Sequence, residues 1–186
     1  MKYLALGDSY TIGTGASDDS HSWPAIIAVR LGAELTNPAV NGYTTLDLIR
    51  VELPYLERVD PDIVSVLIGV NDLVQGRSPE QYRRSLLTIY DAVKARQAVA
   101  VSIPNWSYVP AAAGFGGSDH VERMTRLFNE VAREEATRRG FTWIDITDAS
   151  TGGIGTKDWI ASDDLHPGDA QYAAWADAIW KLWPRP

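Results

Sequence analysis

The sequence predicts a three-layer α/β fold, a parallel sheet of strands between two layers of helices. Three observations lead there. Short apolar runs recur along the chain, segments of helical period separate them, and neither a cysteine nor an apolar stretch long enough to span a membrane is present. The length, 186 residues, fits one domain of the usual roughly 100–200 residues. A single domain over residues 1–186 is therefore expected.

Taken in order, Tyr3-Leu4-Ala5-Leu6 reads as a buried strand ended by Gly7-Asp8, with helix resuming near Ser22. A second strand is expected near Glu34–Val40. Leu46, Ile49, Leu53 and Leu56 then recur at helical spacing behind Thr44-Thr45, a suitable N-cap. Ile63-Val64-Ser65-Val66-Leu67-Ile68 is β-branched and closes at Gly69. Ser78-Pro79-Glu80-Gln81 opens the next helix, with proline at its first position and a capping-box glutamine. Its apolar stripe is Tyr82, Leu86, Ile89, Tyr90 and Val93. Ala98–Ile103 is a strand that stops at Pro104. A helix carrying Val121, Met124, Leu127, Phe128 and Val131 runs on to Arg139-Gly140, and Phe141–Ile146 is the last strand. Pro167 is placed to open the final helix, whose stripe is Tyr172, Trp175, Ala176, Ile179 and Trp183. Strands apolar on both faces belong in a sheet covered on both sides, which favours parallel pairing.

Charge narrows the partners. Seventeen basic residues against 24 acidic ones leave a net charge of −7, the wrong sign for a nucleic-acid partner. Without cysteine, a thiolate zinc site and a cysteine nucleophile are excluded. The opening Met1–Leu6 meets Gly7-Asp8 too soon for a signal peptide, so the expectation is a soluble, cytoplasmic protein. Nothing in the sequence speaks to its oligomeric state.

In such folds ligands lie outside the carboxyl ends of the strands. The residues there are Gly7–Tyr10, Asn41-Gly42, Gly69–Asp72, the loop Pro104–Asp119 and Asp163–Pro167. Ser9, at the end of the first strand, is either a turn serine or a nucleophile; the Gly-x-Ser-x-Gly elbow is absent, because position 11 is Thr. His166 precedes Pro167, which excludes helical backbone there. Asp163, three residues earlier, can fold back onto its Nδ1, whereas Asp164 points away in an extended turn. The bland alternative is a helix start with surface carboxylates. Asn71 is a turn former or an oxyanion donor, and Gly42 a turn residue or an unobstructed N–H. Tyr10 is expected to face the core. His21 and His120 lie in polar sequence and read as solvated.

Gly-Asp-Ser-Tyr, Asn-Gly, Gly-Val-Asn-Asp and Asp-Asp-Leu-His-Pro occur in that order over the whole chain. Together they resemble the SGNH-hydrolase superfamily, the GDSL esterases and lipases. The resemblance implies a flavodoxin-like parallel sheet of about five strands. It implies Ser9 as nucleophile, His166 as base and Asp163 as the third triad member, with Ser9, Gly42 and Asn71 forming the oxyanion hole. Tyr10 departs from the leucine of the family name. The implied activity is carboxylic-ester hydrolysis through an acyl-enzyme, with a small-molecule ester as the only partner and no metal or cofactor.

Other classes fit less well. A nucleotide site lacks Gly-x-Gly-x-x-Gly and a following Gly-Lys-Ser/Thr, and a metal at Asp163, Asp164 and His166 lacks a second ligand cluster. A catalytically silent, glycan-binding relative would not need every triad and oxyanion position filled. Trp106 and Tyr108, after the strand that stops at Pro104, are candidate walls of the substrate pocket. A chain this small leaves little room for a lid, which favours short acyl groups such as acetylated sugars or aryl acetates; longer lipid or thioester chains are the runner-up.

Overall fold

The computed structural model describes residues 1–184. Five strands form one sheet: β1 (Lys2–Gly7), β2 (Glu34–Thr36), β3 (Ile63–Leu67), β4 (Gln97–Val101) and β5 (Thr142–Ile144). Their spatial order is β2-β1-β3-β4-β5 and every pairing is parallel. The central strands bury both faces: Leu4, Leu6, Val64, Leu67 and Val99 are inaccessible to solvent.

Crossover handedness distributes the helices. From β1 the chain passes through α1 (Ser9–Ile12) and α2 (Trp23–Leu31) to reach β2 on one side. It returns through α3 (Thr45–Asp47) and α4 (Tyr55–Val59) to β3, on the far side of β1. It continues outward through α5 (Val70–Val74), α6 (Pro79–Ala92), β4 and α7 (Ser118–Arg138) to β5. Right-handed crossovers in opposite directions put α2 on one face and α6 with α7 on the other. After α8 (Thr147–Thr151), α9 (Asp169–Leu182) returns to pack on α2. The reversal between β1 and β3 opens a crevice at their carboxyl ends, where ligands of such sheets bind. Among the described residues no helix is long and apolar enough to cross a membrane.

Local signals account for most elements. Ser78 and Gln81 form a reciprocal capping box at α6, with Pro79 at its first position. The stripe Tyr82, Leu86, Ile89, Tyr90 is buried, and Tyr82 stacks on Phe128 of α7 at 4.7 Å. Tyr172, Trp175, Ala176 and Ile179 of α9 are fully buried.

Several expectations need correction. Helix starts at Ser9 itself, not only near Ser22. β2 stops at Thr36, short of Val40, and β5 covers only the middle of Phe141–Ile146. The inward positions after Thr44 are Thr45, Leu48 and Glu52, one register off the expected stripe, and Leu46 is 56% exposed. The expected stripe was drawn from apolar residues alone, so it passed over Glu52. A π turn over Leu48–Glu52, closed by Leu53 N–H to the Leu48 carbonyl at 3.0 Å, interrupts the 3.6-residue period. Leu127 is likewise half out of its stripe. Pro167 lies outside α9, whose N-cap is Gly168.

The register difference is measurable. Leu86→Ala should cost about 2–5 kcal/mol of stability, as for other fully buried leucines. Leu46→Ala should change it by less than about 0.5 kcal/mol. Urea denaturation of the two variants checks both values, and a large loss for Leu46→Ala would restore the original stripe.

Candidate active site

The site is built first from a strand that turns directly into a helix. Gly7 ends β1 in a place with no room for a side chain: a Cβ would lie 2.1 Å from Thr11 Oγ1 and 2.3 Å from the Leu67 carbonyl. Asp8 caps α1, its Oδ1 accepting the Tyr10 N–H at 3.0 Å, and Ser9 is the first helical residue. Ser9 is 6% exposed, and among the described residues no hydrogen bond restrains its hydroxyl. Tyr10 turns inward as expected, its ring edge-on to Trp175 at 5.7 Å and to His166 at 6.1 Å.

His166 arrives from the far end of the chain. Asp163 Oδ2 meets its Nδ1 at 2.5 Å, while Asp163 Oδ1 accepts the N–H groups of Leu165 and His166 at 3.0 and 2.9 Å. One carboxylate thus fixes both the ring and the backbone of the histidine. Partial burial pushes the Asp163 carboxyl up, but the imidazole and the two N–H groups outweigh it and lower its pKa overall. Asp164 sits in left-handed backbone (φ 58°) rather than the expected extended turn. The histidine packs on the turn after Ser9: a Cβ on Gly15 would come within 3.0 Å of His166 Cβ and 2.5 Å of the Pro167 carbonyl.

Asn71 and Gly42 lie on the segments that follow β3 and β2. Asn71, in the first turn of α5, gives one Nδ2 proton to the Tyr43 carbonyl at 2.9 Å and keeps the second. Thr14 hydrogen-bonds the Asn41 side chain, tying the Asn41-Gly42 turn to the Ser9 turn. Gly42 faces open space, with nothing within 4 Å of where a Cβ would lie. Among the described residues the N–H groups of Ser9 and Gly42 have no protein acceptor. Asp72 anchors this arrangement: its carboxylate accepts Thr45 N–H at 2.8 Å and Thr45 Oγ1–H at 2.5 Å, and Arg77 Nε lies 3.4 Å away.

Trp106 is buried and Tyr108 half-buried. Trp106 is 3% exposed and meets Phe115 edge-on at 5.5 Å, and the Tyr108 hydroxyl is held by Ser150, Trp159 and Gln171. A groove of about 390 Å³ beside β5 and α7, bordered by Asn105, Thr125, Asn129 and Trp143, includes none of Ser9, Gly42, Asn71 or His166. Among the described residues no group of three or more His, Asp or Glu side chains is placed to hold a metal ion.

Two buried acids next to Ser9 and Gly7 carry no signal in the sequence reading. Asp8 and Glu52 are both inaccessible to solvent, and Glu52 Oε2 accepts the Gly7 N–H at 2.9 Å. Asp8 Oδ2 and Glu52 Oε1 have no partner among the described residues. Burial, with a smaller push from Asp72, raises the Asp8 pKa to about 7; burial, with the Asp8 charge adding to it, raises Glu52 to about 8. A glutamate at an inward helical position carries no local signal of its own.

Known proteins resemble the chain over most of its length. The model of the GDSL-like lipase/acylhydrolase family matches residues 5–174. Esterase TesA of Pseudomonas aeruginosa is 23% identical over 187 residues, covering 95% of this chain and 85% of that protein. A lipolytic G-D-S-L family member from Veillonella parvula superposes with a TM-score of 0.78 at 17% identity over 100% of both chains. A catalytic mutant of the acetylxylan esterase Axe2 from Geobacillus stearothermophilus gives a TM-score of 0.77 at 19% identity, covering 99% of this chain and 94% of its own.

The buried acids have a thermodynamic signature. A carboxyl whose folded pKa is raised holds its proton longer when folded, so stability falls as pH climbs from the unfolded value, about 4.5, to the folded one. For Glu52 that window closes near pH 8. Glu52→Gln, which keeps an acceptor for Gly7, should therefore gain in Tm on the wild type between pH 5 and 8 and then level off. Calorimetry at four or five pH values checks this, and a constant difference would mean that Glu52 does not titrate in that range.

Proposed function

The chain belongs to the GDSL-like lipase/acylhydrolase family and is a serine ester hydrolase of that type; from this premise we propose that Ser9, His166 and Asp163 are its triad and that short acyl esters are its substrates. The observation that carries the assignment is the double grip of Asp163, which holds the His166 ring at 2.5 Å and the His166 N–H at 2.9 Å. Such a carboxylate selects the Nδ1–H tautomer and leaves Nε2 free as a base.

In this reading Ser9 Oγ attacks the ester carbonyl while His166 Nε2 takes its proton. Charge developing on the carbonyl oxygen meets the N–H groups of Ser9 and Gly42 and the second Nδ2 proton of Asn71. The imidazolium returns its proton to the departing alkoxide, leaving an acyl group on Ser9. Water, deprotonated by the same imidazole, then releases the acid. Asp72 reaches no reacting atom; through Thr45 it steadies the loop that presents Gly42.

The acyl preference is supported by the loop between β4 and α7. Trp106 within it is 3% exposed and closed against Phe115, so no open channel for a long chain is lined by those two rings. The acetyl specificity in the name of Axe2 is consistent with this reading. The alternative is a longer acyl chain, seated along Val40 and Leu46, which are 43% and 56% exposed on the Gly42 side.

Ser9→Ala should lower ester hydrolysis by more than about a hundredfold without unfolding the chain, since triad members act as a unit. Asp163→Asn should cost far more activity than Asp164→Asn, because Asp164 sits in left-handed backbone that asparagine also adopts. Equal losses would remove Asp163 from the triad. A panel of acetyl, butyryl and octanoyl esters tests the acyl group: kcat/KM should be highest for acetyl, and an octanoyl optimum would favour the longer-chain reading.

A further inference from the structure

The Tyr108 hydroxyl joins four segments of the chain at one oxygen. It donates to the Ser150 carbonyl in α8 at 2.8 Å, and it accepts Trp159 Nε1–H at 3.0 Å and Gln171 Nε2–H of α9 at 2.8 Å. A phenol has one proton and two acceptor positions, and all three are used. Gln171 Nε2 also donates to the Trp159 carbonyl at 2.9 Å, and Trp159 Nε1 to the Ser150 carbonyl at 3.2 Å. Trp159 and Gln171 are 6% and 3% exposed.

Trp159 begins the hairpin that carries Asp163 and His166. The hairpin has little pairing of its own: one antiparallel bridge between Ile160 and Pro167, with Ala161 N–H to the His166 carbonyl at 2.8 Å and Gly168 N–H to the Trp159 carbonyl at 3.0 Å. Its side nearest the β4–α7 loop is tied by Ala111 N–H to the Asp164 carbonyl at 3.3 Å. A hairpin this short is not rigid alone, so its position depends on what holds its base.

We infer that Tyr108 is a positioning residue for the reaction: its hydroxyl locks the base of the Trp159–Gly168 hairpin and so keeps the His166 imidazole in register with Ser9. This rests on the reading of His166 as the base. It assigns Tyr108 a task away from the substrate, in place of the expected pocket wall.

Tyr108→Phe keeps the ring and removes the shared oxygen; each donor atom retains one acceptor, while one Nε2 proton of Gln171 loses its own. Trp159 Nε1 still has the Ser150 carbonyl, and Gln171 Nε2 still has the Trp159 carbonyl. On a p-nitrophenyl acetate assay kcat should fall about tenfold, the scale of a small misplacement of a catalytic group, with KM within twofold of wild type. The pH profile should move as well. Among the described residues the ionisable groups against the His166 ring are Asp163 of its own hairpin and Tyr10 of α1. A loosened hairpin weakens the support Asp163 gives the imidazolium, so the rising limb of kcat/KM should shift to lower pH. Ile89→Val, in the core of α6, serves as a control for simple destabilisation: it should lower Tm without moving the limb.

An unmoved limb with wild-type kcat overturns the inference, as does a loss of amplitude alone that matches Ile89→Val. A raised KM with unchanged kcat also overturns it and returns Tyr108 to the pocket. Should Tyr108→Phe not fold, Trp159→Phe, which removes the indole donor from the same oxygen, must show the same shift for the inference to stand. Failure of the underlying reading looks different: the wild type itself would then show no rising limb, or would survive Ser9→Ala.

Discussion

The contact between the end of β1 and the end of β3 constrains everything around Ser9. Only a hydrogen fits at Gly7 between Thr11 and the Leu67 carbonyl, so the chain can leave the sheet and enter α1 within one residue. That tight exit sets Ser9 at the topological switch point, where the two directions of winding part and the sheet offers a crevice. It also points the Asp8 side chain inward as a helix cap and leaves the Gly7 N–H needing a buried acceptor, which Glu52 supplies. The π turn over Leu48–Glu52 is the local distortion by which a helix beside β1 brings that carboxyl to the strand end.

The cost falls on electrostatics. Three acids, Asp8, Glu52 and Asp72, are fully buried near the site, and among the described residues only Asp72 has a cation, Arg77, within 4 Å. Desolvation raises all three, and the mutual repulsion of Asp8 with its neighbours adds to it. Local rules are broken here in a chain that elsewhere follows them, which is the usual mark of a site built for chemistry rather than stability.

The two halves of the site are made differently. The half that presents Ser9, Gly42 and Asn71 is made of helix starts and a turn that follow β1, β3 and β2, braced by Asp72 and by Thr14 against Asn41. The half that presents His166 is a short hairpin held by side chains from outside it: Tyr108, Gln171 and the Gly15 turn. In the proposed reading, a base on a separately anchored hairpin can be tuned without disturbing the oxyanion donors, and loosened without unfolding the sheet.

What the sequence by itself determined is local. Strand runs closed by Gly69 and Pro104, the Ser78–Gln81 capping box and the three-residue step from Asp163 to His166 each depend on neighbours a few positions away. These were readable because period, caps and turn residues act through short-range sterics and hydrogen bonds. The four blocks that carry Ser9, Gly42, Asn71 and His166 were legible as a set only through their resemblance to the SGNH hydrolases, since each block alone also reads as a turn or cap. The tertiary structure alone decided which segments meet. It shifted the inward face after Thr44 by one residue, buried Glu52 beneath Gly7, closed Trp106 into the core and turned Tyr108 to a hub for Ser150, Trp159 and Gln171. The contacts of Glu52 and Tyr108 join residues 42 to 63 positions apart, and such separations leave no periodic trace, because the energy that fixes them comes from packing whole elements against one sheet.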